Sequence, residues 1–135
     1  EASVLLRRAV ELDPDYADAH RWLAFNLWAS WAHVGEPQQP TRATSLDLAE
    51  RSVRLDPNDA GCHWVRGLIL FYEDRTADSE AAFARALELD PSHADAMALQ
   101  TALAPEARLA VNAAHTLVTF IIERWHAFPR GNYRV

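Results

Sequence analysis

Three stretches of the chain repeat one pattern of apolar and polar positions. Over residues 2–12, 45–55 and 79–89, apolar or small side chains recur at i, i+3, i+4 and i+7, which predicts three amphipathic helices, each with one buried stripe. Each stripe runs into Leu-Asp-Pro, starting at Leu12, Leu55 and Leu89. The proline ends the helix because it lacks an N–H and its ring clashes with the preceding turn. The residues that follow, Asp15, Asn58 and Ser92, are expected to cap a new helix by accepting a bond from its free N–H groups. New helical segments follow over 17–32, 60–72 and 94–103. The first carries a core stripe of Leu23, Ala24, Leu27 and Trp31, the second one of Gly67, Leu70 and Phe71. Short connections make consecutive helices antiparallel neighbours, so the expected fold class is all-α.

Laid over one another on Leu-Asp-Pro, the segments agree in detail. Small residues coincide at Ala2, Ser45 and Ser79, larger apolar ones at Leu6 and Phe83, and small ones again at Ala9, Ser52 and Ala86. Leu23-Ala24 and Gly67 occupy matching places in the intervening helices, and the last two units lie 34 residues apart. These residues resemble tetratricopeptide repeats, helix–turn–helix units with a period of 34, over residues 1–104. The resemblance implies an α-solenoid of about three helical hairpins that serves protein–protein interaction. Departures from the family pattern are His20, His63 and Met97, where the family usually has Trp, and Arg66 and Gln100, where it has Leu. Arg66 is expected to find an acidic partner such as Glu73 or Asp74.

The first two units are 43 residues apart, an excess of nine. Gly35, Pro37 and Pro40 bar a continuous helix there, so residues 33–43 are read as a loop inserted in the turn of one hairpin. This layout is similar to the repeat regions of bacterial class III nucleotidyl cyclases and of some winged-helix transcriptional activators. It implies a sensory or protein-interaction segment attached to an output domain. The chain opens in helical register without Met, and is expected to be a piece of a longer protein. After Leu103 the match fades, and Pro105 is expected to start a new helix. Residues 105–135 are read as an atypical long capping or self-association helix and tail, apolar nearly all round, with Leu117, Ile121 and Trp125 as its contact residues.

Composition narrows the function. The net charge of −6 argues against a nucleic-acid partner, which needs a basic face. The longest apolar run, 67–72, is far too short to cross a membrane. Cys62 stands alone, which excludes an internal disulfide and is compatible with a cytoplasmic location. No Gly-rich phosphate loop, His-Glu-x-x-His or Cys-x-x-Cys spacing is present, so no enzyme activity, cofactor or metal is expected. His20 and His63 share one repeat position, but a zinc site would need two more ligands.

The remaining candidate is a surface. Away from the core stripe, the helix over 17–32 presents Asp18, Arg21, Phe25 and Trp28, and the helix over 60–72 presents Trp64, Leu68 and Tyr72, with Phe71 on the border. Trp, Tyr and Arg are the usual anchors of interfaces, and an aromatic groove suits an apolar or helical segment of a partner protein or peptide. Two readings compete with an open groove. The aromatics are core, or the apolar helix around Leu117–Trp125 fills the groove or pairs with its copy in a homodimer. The expected function is a non-enzymatic interaction module of a signalling or regulatory protein, with structural homodimerisation through residues 106–128 as the alternative.

Overall fold

The structure is a computed structural model that describes residues 2–33 and 38–103. The chain divides into two compact units, Glu1–Gln100 and Thr101–Val135. Of the second, residues 101–103 are described.

The described residues form six helices and no strand: α1 (Ala2–Leu12), α2 (Ala17–His33), α3 (Gln38–Leu55), α4 (Ala60–Tyr72), α5 (Thr76–Leu89) and α6 (Ala94–Ala102). The most extensive packing is within two hairpins, α2 on α3 and α4 on α5. Between hairpins α3 meets α4, and α2 also meets α4, so the first helices of successive hairpins are neighbours. The protein is thus an all-α array of helical hairpins.

The three Leu-Asp-Pro seams have one geometry. In each, the Asp carbonyl accepts the N–H three residues on: Asp13 from Tyr16, Asp56 from Asp59, and Asp90 from His93. These are β-turns with proline at the second position, where its fixed φ is already suited. The carboxylate of the same Asp accepts the N–H of the third turn residue, Asp15, Asn58 or Ser92, at 3.0–3.2 Å. The expected capping role of Asp15, Asn58 and Ser92 is therefore corrected. A proline turn needs four residues, so these three stand inside it and the cap falls one position later. Asp59 accepts the N–H of Cys62 at 3.1 Å, and His93 Nδ1 accepts that of Ala96 at 3.2 Å. Helix α4 ends differently. Asp74 takes the left-handed conformation (φ 59°), Arg75 N–H reaches the Leu70 carbonyl and Asp74 N–H that of Phe71, the paired bonds that commonly close a helix with glycine.

Residues 38–43 belong to α3, where the sequence predicts loop. Pro40 lies in the first turn, where an N–H has no partner within the helix to lose, so it is tolerated there. Helices α2 (17 residues) and α3 (18) are longer than their counterparts α4 (13) and α5 (14), so the nine-residue excess lengthens both helices of the first hairpin.

The core holds Ala24, Trp28, Trp31, Ala49, Val65, Leu68 and Ile69, joining α2, α3 and α4. Phe83, Ala82 and Ala86 of α5 are fully or almost fully buried. Small residues mark the helix crossings. A Cβ on Gly67 would stand 2.6 Å from Phe83 Cε1 and 3.2 Å from Ala82 Cβ, so glycine here lets α4 close on α5. Ser79 Oγ–H donates to the Gly67 carbonyl across the same crossing, at 2.9 Å. In the first hairpin Trp31 Nε1–H donates to Ser45 Oγ at 3.1 Å, and Ser45 Oγ–H to the Arg42 carbonyl.

Arg66 of α4 does not pair with Glu73 or Asp74. It reaches back to Glu50 of α3 at 2.8 Å, because its position on α4 faces the preceding hairpin. Glu73 is bound by Arg42 of α3.

Candidate interaction surface

Helices α2 and α4 bring the predicted aromatic residues together. Phe25 lies 5.3 Å from Trp28 and 5.7 Å from Trp64 between ring centres, and Trp28 meets Tyr72 edge-on at 5.2 Å. Phe71 packs against Tyr72 at 5.5 Å. Two rings that the sequence reading did not place on this face extend it. Trp22 stands edge-on to Phe25 at 5.9 Å, and His93, in the turn before α6, tilts over Trp64 at 5.7 Å. Trp22 was legible as the residue three before Phe25, hence its neighbour on the helix surface. His93 was not, because its place depends on where the α5–α6 turn delivers it. Trp31, expected in the core, is buried there and touches Tyr72 from below at 6.1 Å.

The ladder has a dry side and a wet side. Trp28 and Leu68 are only 7% and 5% exposed and belong to the core cluster, so they back the surface rather than form it. Phe25, Trp64 and Phe71 are half-buried. Trp22 and Tyr72 are open, at 46% and 39%. The surface that a partner could touch is therefore narrower than the eight residues named from the sequence. The reason is that α2 and α4 pack directly on each other, which hides the side chains between them.

Arg21 is present but already engaged. Its guanidinium bonds Asp18 at 2.9 Å and Asp59 at 3.1 Å, and it lies over the Trp22 ring at 4.9 Å. It also fills the space over Gly61, where a Cβ would collide with its terminal nitrogen. Asp59 Oδ1 thus caps α4 and accepts from Arg21 of α2 at once. Arg21 is a clasp between the hairpins, and its charge is matched by two carboxylates rather than offered to an anion.

His20 and His63 are buried at equivalent places. His20 Nδ1–H donates to the Tyr16 carbonyl at 3.0 Å, and His63 Nε2–H to the Pro57 carbonyl at 2.8 Å. A carbonyl can only accept, so each contact fixes a proton on the ring nitrogen and ties the histidine to its own turn. Among the described residues no cluster of three or more His, Cys, Asp or Glu could hold a metal ion. Cys62 is buried, and burial pushes its thiol up to about 11, away from the range of a reactive thiolate. No described helix is long and apolar enough to cross a membrane. Leu117, Ile121 and Trp125, proposed from sequence for self-association, lie outside the described residues.

No protein-family model matches the chain, and no curated protein matches it.

Proposed function

We propose that this chain is a non-enzymatic protein–protein interaction module of the tetratricopeptide type. It would receive an apolar or helix-forming segment of a partner along the aromatic face of α2 and α4. The observation that carries the proposal is the continuous ring ladder from Trp22 to Tyr72, whose two ends are open while its back is anchored in the core. A rigid aromatic surface loses little side-chain entropy on binding, which is why such residues dominate interface energetics. The Arg21–Asp59 clasp supports the same reading, since it locks the angle between the two hairpins that present the rings. A setting in a bacterial, cytoplasmic signalling or regulatory protein is the further part of the proposal, and it rests on the nine-residue excess and the lone cysteine.

A displayed peptide library panned against the wild-type chain and against Trp22→Ala/Tyr72→Ala tests it. Both side chains are partly in solvent, so the variant should fold. Enrichment of apolar, helix-forming peptides on the wild type, with at least about ten-fold weaker retention by the variant, is the expected result. Equal retention by both, or no enrichment at all, rejects the aromatic face as a binding site.

A further inference from the structure

In the three Leu-Asp-Pro joints, the residue just before helix α2, α4 or α6 is Tyr16, Asp59 or His93. At two of these positions the side chain makes the same bond. Asp59 Oδ1 accepts the N–H of Cys62, three residues on, and His93 Nδ1 accepts that of Ala96, also three residues on. Each satisfies one of the N–H groups that a helix leaves free in its first turn. The two acceptors differ in chemistry. A carboxylate accepts at any pH above the ordinary carboxylate range, whereas an imidazole nitrogen accepts only while it carries no proton.

This role separates His93 from the two buried histidines. His20 and His63 donate to carbonyl oxygens, so protonation of either ring leaves its bond intact. His93 accepts through Nδ1, which fixes the neutral ring with its proton on Nε2. A proton added to Nδ1 removes the lone pair and sets two donors against each other at the Ala96 N–H. It also puts a cation at a helix N-terminus, where the helix dipole disfavours it.

The charged ring is nevertheless accommodated where it stands. It tilts over Trp64 of α4 at 5.7 Å between centres, and an aromatic face attracts a cation. The charged groups on the elements around it are acidic or paired. Asp90 lies in the same turn and interacts electrostatically with the ring, and Asp95 stands exposed in the first turn of α6. At the start of α4 is Asp59, held by Arg21, and at the end of α5 is Glu88, held by Arg85. The neutral ring therefore has a cap to make, while the charged ring has carboxylates and a π face around it.

We infer that His93 is a pH-sensitive cap, which holds the first turn of α6 while its ring is neutral and releases it when the ring takes up a proton. Imidazole is the side chain that ordinarily changes charge between about pH 5 and 8. The α3–α4 joint, capped by Asp59, keeps its bond over that range, so the two joints respond differently. Asp90 stays ionised as well, since its carboxyl is held below 3.8. Because His93 continues the ladder that runs through Trp64 and Phe25, the switch also sets the charge at that end of the aromatic face.

Long-range proton–nitrogen NMR of the full chain at pH 8 is expected to show the His93 ring protonated on Nε2 and bare on Nδ1. As the pH is lowered to 5, the Ala96 amide signal should shift with the same midpoint as the His93 ring. Its exchange rate, corrected for the intrinsic pH dependence, should rise about five-fold, as loss of one helix cap implies. His93→Asp, which copies Asp59, should keep the Ala96 amide protected across the same range, with circular dichroism confirming that helix content is retained. A ring protonated on Nδ1 at pH 8, or an Ala96 amide that does not follow the His93 titration, overturns the inference, and neither measurement needs a variant. So does an Ala96 response that persists in His93→Asp. No partner takes part in these measurements, so failure here is distinguishable from failure of the aromatic face.

Discussion

At the scale of single residues, the protein relies on side chains chosen for what they leave out. Gly67 is the sharpest case. Phe83 is fully buried and cannot swing away from an added methyl group that would stand 2.6 Å from its ring. Gly67→Ala should therefore destabilise the fold by about 1–3 kcal/mol despite alanine's better helix propensity, measurable as a lower urea midpoint. Gly61→Ala meets side-chain ends, the Arg21 guanidinium and Asp59 Oδ1, rather than a buried ring, so its cost should be smaller. Cys62 is a small apolar residue in practice. With its thiol pushed up to about 11 from an ordinary 9.0, alkylation at pH 8 should run about a hundred-fold slower in the native chain than in the urea-unfolded chain. The stability sign follows. A raised value contributes stability in full below pH 9 and loses it as pH climbs toward 11, since the unfolded thiol ionises first.

At the scale of elements, the Asp-Pro turn is the repeated joint, and one carboxylate does most of its bonding. Asp90 accepts both the backbone N–H and the hydroxyl of Ser92, which hold its carboxyl below the ordinary value of 3.8. A depressed value contributes stability above that pH and loses it as pH falls through the folded value. Acid should therefore loosen the α5–α6 joint, and urea midpoints at pH 6 and pH 3 should differ less for Asp90→Ala than for the wild type. A similar pH response in both would mean that this carboxylate has no part in acid sensitivity. The turn also sets the caps one residue beyond the positions that the sequence suggests. Asp15, Asn58 and Ser92 have capping chemistry, but a four-residue turn spends them before the helix begins.

At the scale of the whole molecule, the aromatic residues separate into those that build the array and those that face outward. Trp28→Ala should cost about 3–5 kcal/mol because it empties the core between α2 and α4. Tyr72→Ala removes a ring that is 39% exposed and should cost clearly less. Denaturant titrations of the two variants test this division. If both lose stability equally, the outer edge of the ladder is core and no binding face remains there. The division also explains why the eight residues named from sequence describe the surface too broadly. Periodicity places a side chain on a helix face, but whether that face meets water depends on the neighbouring helix.

The sequence by itself determined the local structure. Leu-Asp-Pro stops a helix by steric rule, apolar stripes at helical spacing need burial, and short turns make neighbours antiparallel, so helix order and the burial of Leu23, Ala24, Leu70 and Phe83 were legible without coordinates. Only the tertiary structure decided the rest. It extended α3 through residues 38–43, paired Arg66 with Glu50, and sealed Trp28 and Leu68 beneath the aromatic face. The physical reason is the same in each case. Local bonds depend on residues a few positions apart, whereas burial and ion pairing depend on how closely two helices approach, and that distance is set by small residues such as Gly67 at crossings far apart in the chain.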